Sequence, residues 1–335
     1  MMAIRLAVMA AIVLLGLGAM LALFAWWTAR RIKAALPPQG RFIIAGDVRF
    51  HVHEEGEGPP LLLIHGLAGQ MRHYTYGVSK RLSREFRVVS IDRPGSGYSE
   101  RPSSMSADLS AQAAAIASLI DAMQLGPVCV AGHSLGGAIA LTLAVEHPRC
   151  VSALALIAPL THLPSGPHGN DGKDGNGGGE VPAAFRALTI SSSWLRTLFA
   201  WTLAVPASIA GSRTVLDQVF GPEPVPRDFG TRGGGLMSLF PHQFIAASRD
   251  IQAVPARLPA IAARYGELRI PVRVLFGRED RILDWKVNGE ALAGKVAGAQ
   301  LELVEGGHML PVTKAELTAA FIRESALQAS EQAAR

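Results

Sequence analysis

The first 33 residues stand apart on hydropathy alone. Leu6 to Ala29 is a run of 24 residues without a charge. A helix of that length rises about 36 Å, enough to cross a hydrocarbon core of roughly 30 Å. Trp26 and Trp27 close the run and Arg30, Arg31 and Lys33 follow, the aromatic and basic order of a membrane interface. The pattern predicts a single-pass N-terminal membrane anchor over residues 1–33. Its apolar part is long for a cleaved leader, and no persuasive small-x-small site follows. Three basic side chains after the run, against Arg5 and the amino terminus before it, lean slightly toward a cytoplasmic body.

Beyond a Pro37-Pro38 linker over residues 34–40, short apolar runs alternate with helical patterns. Arg41–Ala45 and Val48–His53 flank Gly46-Asp47, a two-residue hairpin signal. Leu61–His65 is continuously apolar, as in a strand buried on both faces. Further strands are expected at Val88–Ile91, Val128–Ala131, Leu154–Ile157, Val272–Phe276 and Leu301–Val304. Helices are expected near Ser79–Arg84, Leu109–Met123, Gly136–Glu146, Trp285–Val296 and Lys314–Gln328. This alternation predicts an α/β domain with a mostly parallel sheet covered on both faces. It occupies residues 41–159 and 269–330. The rhythm breaks over residues 160–268, which read as an inserted cap or lid. Residues 166–179 hold seven glycines and read as a flexible loop, while Thr197–Gly211 reads as a cap helix interrupted by Pro206. The neighbouring Trp194, Leu195, Leu198, Phe199 and Trp201 read as cap core in preference to membrane contact.

Charge changes the picture only by exclusion. The formal net charge is +5, and residues 1–33 contribute four basic side chains and no acid. The remaining 28 basic and 27 acidic residues nearly cancel. The basic character is therefore a membrane flank, and no nucleic-acid partner is expected. Two cysteines build no disulfide framework, and no Cys/His spacing suits a metal. Cys129 reads as a small buried residue and Cys150 as a strand-edge one.

The chemistry concentrates at strand ends. Gly132-His133-Ser134-Leu135-Gly136 follows the Val128–Ala131 strand and opens a helix. Small glycines permit a sharp turn that lifts the Ser134 hydroxyl out of the sheet, over a helix N-terminus. The plainer alternative for Ser134 is a helix N-cap. A serine hydroxyl needs a base, and the base an orienting acid. Asp280 follows the Val272–Phe276 strand and His308 the Leu301–Val304 strand, which places both on the sheet's C-terminal edge. The Leu154–Ile157 strand ends without a carboxylate, and Glu279 and Asp284 are lesser candidates. His65-Gly66-Leu67-Ala68-Gly69 ends another strand. The amides of Leu67 and Leu135 are assigned to an oxyanion hole. Asp92 and Ser96 read as a turn network, and His133 as packing.

Together these stretches, with Asp92-Arg93-Pro94-Gly95-Ser96-Gly97-Tyr98-Ser99, resemble the α/β-hydrolase superfamily, in the lineage of cap-bearing esterases, C–C hydrolases and cofactor-free haloperoxidase-like enzymes. The resemblance covers about Arg41 to Gln328 and is weakest in the cap. It implies an α/β-hydrolase fold with an eight-stranded sheet, and a serine in place of the aspartate of family epoxide hydrolases and dehalogenases. The expected activity is hydrolysis of a small-molecule acyl ester, lipid-derived esters included, through Ser134, His308 and Asp280 with no cofactor or metal. The same site could serve C–C hydrolysis, perhydrolysis or acyl transfer. A catalytically silent membrane-tethered binding protein is the alternative from another class.

Overall fold

The computed structural model describes residues 1–163 and 187–333, so the glycine-rich stretch 166–179 lies outside the described residues. The chain opens with helix α1 (Met2–Ala35), which continues past the uncharged run through the basic flank. Strands β1 (Arg41–Ala45) and β2 (Val48–Glu55) form the expected hairpin, with Ala45 facing Val48 across Gly46-Asp47. Gly46 sits at φ +55°, the left-handed backbone that such a two-residue turn demands.

After β3 (Pro60–Ile64) come two single-turn helices, α2 (Arg72–Thr75) and α3 (Ser79–Leu82), then β4 (Arg87–Ile91) and α4 (Leu109–Ala122). The central unit is β5 (Val128–His133), α5 (Leu135–Glu146) and β6 (Val151–Ile157). The inserted region supplies α6 (Ser193–Trp201), α7 (Ala204–Phe220) and α8 (Pro241–Ala263). The core then resumes with β7 (Val272–Gly277), the one-turn α9 (Ala291–Ala293), β8 (Gln300–Val304), α10 (Leu310–Thr313) and α11 (Ala315–Ala333). The eight strands run in the order β1-β2-β4-β3-β5-β6-β7-β8, with β2 antiparallel to both of its neighbours, β1 and β4, and the remaining neighbours parallel.

The continuous apolar runs have a direct cause. Side chains alternate across a strand, and here both faces are covered. Leu62 and Ile64 of β3, Val130 of β5 and Leu154 and Leu156 of β6 join the core beneath α4, α5 and α8. Leu61, Leu63, Ala131, Ala155 and Ile157 join the second core, beneath α3 and α11. Helix α5 is buried from Leu135 to Val145, so it carries no polar stripe.

Three expectations shift. The apolar cap stretch is two helices, separated at Thr202-Leu203. Pro206 lies in the first turn of α7, where its missing N–H has no partner to lose. Trp194, Leu195, Leu198 and Trp201 face outward, and only Phe199 turns inward, onto Phe244 at 5.3 Å. The Trp285–Val296 stretch forms a π turn over Lys286–Glu290 before α9. Helix α8 was not legible in the sequence because Pro255 and Pro259 interrupt it.

Helix α8 clamps the inserted region to the core through charge. Arg93 is wholly buried and bonds Asp250 of α8 at 2.8 Å, and Asp250 also pairs with Arg101. Burial penalises the Arg93 cation, and Asp250 offsets that penalty. Asp250→Ala would strand two buried guanidinium groups. The expected loss is about 3–5 kcal/mol, read from urea unfolding of the full chain in detergent. An unchanged midpoint would show that Asp250 is not needed to hold them.

Candidate active site

The turn from β5 into α5 is set by close backbone approach. A Cβ on Gly132 would lie 2.6 Å from the Gly136 carbonyl oxygen, and one on Gly136 would lie 2.3 Å from the Ile64 carbonyl oxygen. Only glycine fits at either place. Between them Ser134 takes φ +54° and ψ −120°, a backbone that side-chain-bearing residues rarely adopt. Its side chain makes no capping bond to α5, so the N-cap alternative does not describe it.

Asp280 and His308 meet although 28 residues separate them. Asp280 Oδ2 and His308 Nδ1 lie 2.7 Å apart, with side chains almost wholly buried. The other carboxylate oxygen of Asp280 accepts the amides of Ile282 at 2.8 Å and Leu283 at 3.0 Å. That fixes the carboxylate, and with Asp280 ionised His308 donates from Nδ1 and leaves Nε2 as the basic nitrogen. Glu279 instead accepts the amide of Gly306, tying the two strand-end loops together. Asp284 accepts the amide of Lys286.

The strand-end loop after β3 turns toward the elbow. A Cβ on Gly66 would lie 3.0 Å from Ser134 Cβ. The loop bends through Ala68 at φ +51°, closed by the Gly69 amide donating to the Gly66 carbonyl at 3.3 Å. Arg93 holds the loop from behind. Its Nε donates to the His65 carbonyl and its Nη2 to the Gly66 carbonyl, both at 3.1 Å. The backbone amide of Arg93 donates to His65 Nε2. Among the described residues, the amides of Leu67 and Leu135 donate to no partner.

Ser134, His308, Leu67 and Leu135 all line one cavity of about 440 Å³. Its walls are otherwise mostly apolar, including Val219 and Phe220 of α7 and Val254 of α8. The inserted region thus roofs the strand-end residues. No Lys or Arg occurs among its described lining residues.

Sequence reasoning passed over several supports. Asp92 is more than a turn residue, since it accepts the amides of Met71 and Tyr98 and pairs with His51 Nδ1 at 2.7 Å. Arg93 lay in plain view in the motif after β4, but its partners Gln112 and Asp250 are 19 and 157 residues away. His73, which no local motif marks, lines the cavity with Nδ1 inaccessible and unpartnered among the described residues. His133 packs, as expected, and its ring lies 4.8 Å from that of His308. Its Nε2 donates to the His308 carbonyl at 2.9 Å, which fixes the backbone at His308.

Three of these histidines are held neutral. Burial pushes His73 down to about 4. Burial drives His65 and His133 well below the usual range, with the nearby Arg93 and His308 respectively adding to the effect.

A family profile described as alpha/beta hydrolase fold matches residues 59–191, which take in the loop after β3 and the elbow but not Asp280 or His308. The chain is similar to 2-hydroxymuconate semialdehyde hydrolase of Pseudomonas sp. (strain CF600), 35% identical over 123 residues. That match covers 36% of this chain and 44% of the relative, so the chain aligns with under half the length of this relative. An alpha/beta hydrolase fold protein from Burkholderia ambifaria superposes with a TM-score of 0.69 at 24% identity, over 85% of this chain and 97% of that one. A membrane phospholipase A superposes with a TM-score of 0.63, also at 24% identity, over 96% of each chain. At such identities the structural likeness speaks for the fold.

The neutral histidines generate a pH prediction. Unfolded histidines take up protons near 6.5, whereas His65, His73 and His133 refuse them until far lower pH. The unfolded state therefore binds more protons as pH falls. Stability should be complete above about pH 6.5 and decline below it, by about 1.4 kcal/mol per pH unit for each histidine. Urea midpoints at pH 7 and pH 5 read this directly, and His73→Phe should flatten the slope by one proton. Equal midpoints would show that these side chains do accept protons when folded.

Proposed function

Because this chain has the alpha/beta hydrolase fold, we propose that it is a membrane-anchored serine hydrolase that cleaves carboxylic esters with apolar acyl groups. The single observation that carries the reading is the Asp280–His308 hydrogen bond, 2.7 Å long, whose histidine lines the same cavity as Ser134. In the proposed mechanism Ser134 Oγ attacks the acyl carbonyl and His308 Nε2 takes its proton. Asp280 keeps the Nδ1–H tautomer and stabilises the imidazolium. The amides of Leu67 and Leu135 receive the developing oxyanion. His308 then returns the proton to the leaving alcohol, and a water activated by the same imidazole releases the acid from Ser134.

Substrate class follows from the walls. A mostly apolar cavity of about 440 Å³ suits an acyl chain. An anionic substrate would need a cation that the described lining does not supply. This weighs for neutral esters over the chemistry named for the similar semialdehyde hydrolase, whose match covers 36% of this chain. C–C hydrolysis is the second reading, favoured by the 35% identity over 123 residues to the semialdehyde hydrolase.

The membrane part of the proposal rests on α1. It is the one described helix long and apolar enough to cross a bilayer. Ala25, Ile32 and Leu36 are buried against the body, a fit that a removable leader would not require.

Full-length protein in detergent, assayed on p-nitrophenyl esters of rising chain length, tests the chemistry. Ser134→Ala and His308→Ala should each lower kcat by about 10⁴–10⁶, and Asp280→Asn by about 10⁴. Ester turnover that survives Ser134→Ala would overturn the reading. Labelling of Ser134 by a fluorophosphonate without ester turnover would retain the nucleophile and reject the substrate.

A further inference from the structure

We infer that the outward face of α6 and the start of α7 lies in the headgroup layer of the bilayer that α1 crosses, which makes the cap a lipid-contacting surface. The inference rests on the reading of α1 as a span. It adds to that reading the height and orientation of the body.

Helix α1 is not joined to the body by a loose tether. Its sheltered positions, among them Leu21, Ala25, Thr28, Ile32 and Leu36, recur every three or four residues and form one face. That face packs on α6 and on the helical turn Gly235–Leu239. Ile32 and Leu36 meet Met237 and Phe240, and Ala25, earlier on the same face, is wholly buried too; we seat α6 against these earlier turns. The end of the helix is then pinned. Tyr98 donates its hydroxyl to the Leu36 carbonyl, and Arg72 Nη2 donates to the Pro37 carbonyl at 2.9 Å.

Those earlier turns lie inside the uncharged segment that ends at Ala29. Beside them, Trp26 and Trp27 are covered by the guanidinium groups of Arg30 and Arg31, at 4.9 and 5.4 Å. Paired aromatic and basic side chains of this kind mark the boundary between hydrocarbon and headgroups. Leu6 to Ala25, which carries no charge, is alone about 30 Å of helix. Helix α6, packed against the turns that follow, is therefore held at headgroup height.

At that height α6 presents what an interfacial surface needs. Trp194 is 68% exposed and Leu198 53%, with Leu195 and Trp201 beside them and Leu203 and Ile209 continuing the surface. Between residues 191 and 212 the only charged side chain is Arg196. It is buried, and its guanidinium is taken up by the carbonyls of Ile190 and Ser191. The face thus offers aromatic and aliphatic surface and no exposed charge, continuous with the spanning helix. A lipid surface fits both the chemistry and the fixed height.

The test places a fluorophore on the face of the full-length chain in phosphatidylcholine–phosphatidylglycerol vesicles. Leu198→Cys in a Cys150→Ser background carries an NBD label, since the remaining Cys129 is buried. Ile44→Cys on β1, 74% exposed, is the water-facing control. The label at 198 should emit further to the blue and be quenched several-fold more by lipid brominated on its acyl chain than by aqueous iodide. The label at 44 should show the reverse. Iodide quenching at 198 equal to that at 44 would overturn the inference and leave the anchor intact. Shielding from both quenchers that grows with the protein-to-lipid ratio would assign the face to a second copy of the chain instead. Release of the unlabelled chain from vesicles by alkaline carbonate would overturn the anchor and the inference together.

Discussion

A single guanidinium, that of Arg93, holds together parts of the molecule that are distant in sequence. Wholly buried, it bonds the carbonyls of His65 and Gly66, the side chain of Gln112 on α4 and Asp250 on α8. A cation removed from water is tolerated only when its donors are matched and its charge is paired. The position of α8 is therefore tied to the position of the loop after β3. The same bonds turn the loop's carbonyls toward Arg93, while the next amide, that of Leu67, has no partner among the described residues. A core charge network thus sets the orientation of groups on the cavity wall.

The polar groups beneath the cavity divide by environment. Asp280 receives two amides and the His308 ring, so its carboxylate is held by several independent bonds. His65 and His133 are buried neutral and serve as rigid hydrogen-bonding posts, one for the Arg93 amide and one for the His308 carbonyl. Neutral imidazoles bring no further positive charge to a site that already packs several ionisable groups closely. The left-handed backbone of Ser134 persists because glycines at 132 and 136 let β5, α5 and β3 approach within backbone contact around it.

The inserted region performs two separable tasks. Its inner surfaces, from α7 and α8, close the cavity over the strand ends. Its outer surface, on α6, shares a packing seam with α1. Helix α1 is seated by Ile32 and Leu36 against Met237 and Phe240 and pinned at the Leu36 and Pro37 carbonyls. Through Arg93, Asp250 ties the same inserted region to the loop beside Ser134.

Much of this is legible in the amino-acid sequence. A strand buried on both faces must be apolar throughout, so β3, β5, β6 and β7 announced themselves. Gly46-Asp47 declared its turn, and the glycines around Ser134 declared a sharp one, because left-handed or crowded backbone leaves few residue choices. The order of Ser134, Asp280 and His308 placed each at a strand end, since parallel strands deliver their C-terminal ends to one edge. Tertiary structure alone decided the remainder. It paired Arg93 with Asp250, 157 residues apart, formed α8 across two prolines whose helix-breaking tendency packing overrides, and turned the cap's tryptophans outward although composition suggested a core. Local pattern records which backbone a segment can adopt. Which face it shows, and which buried charge it meets, depends on neighbours that the sequence brings together only on folding.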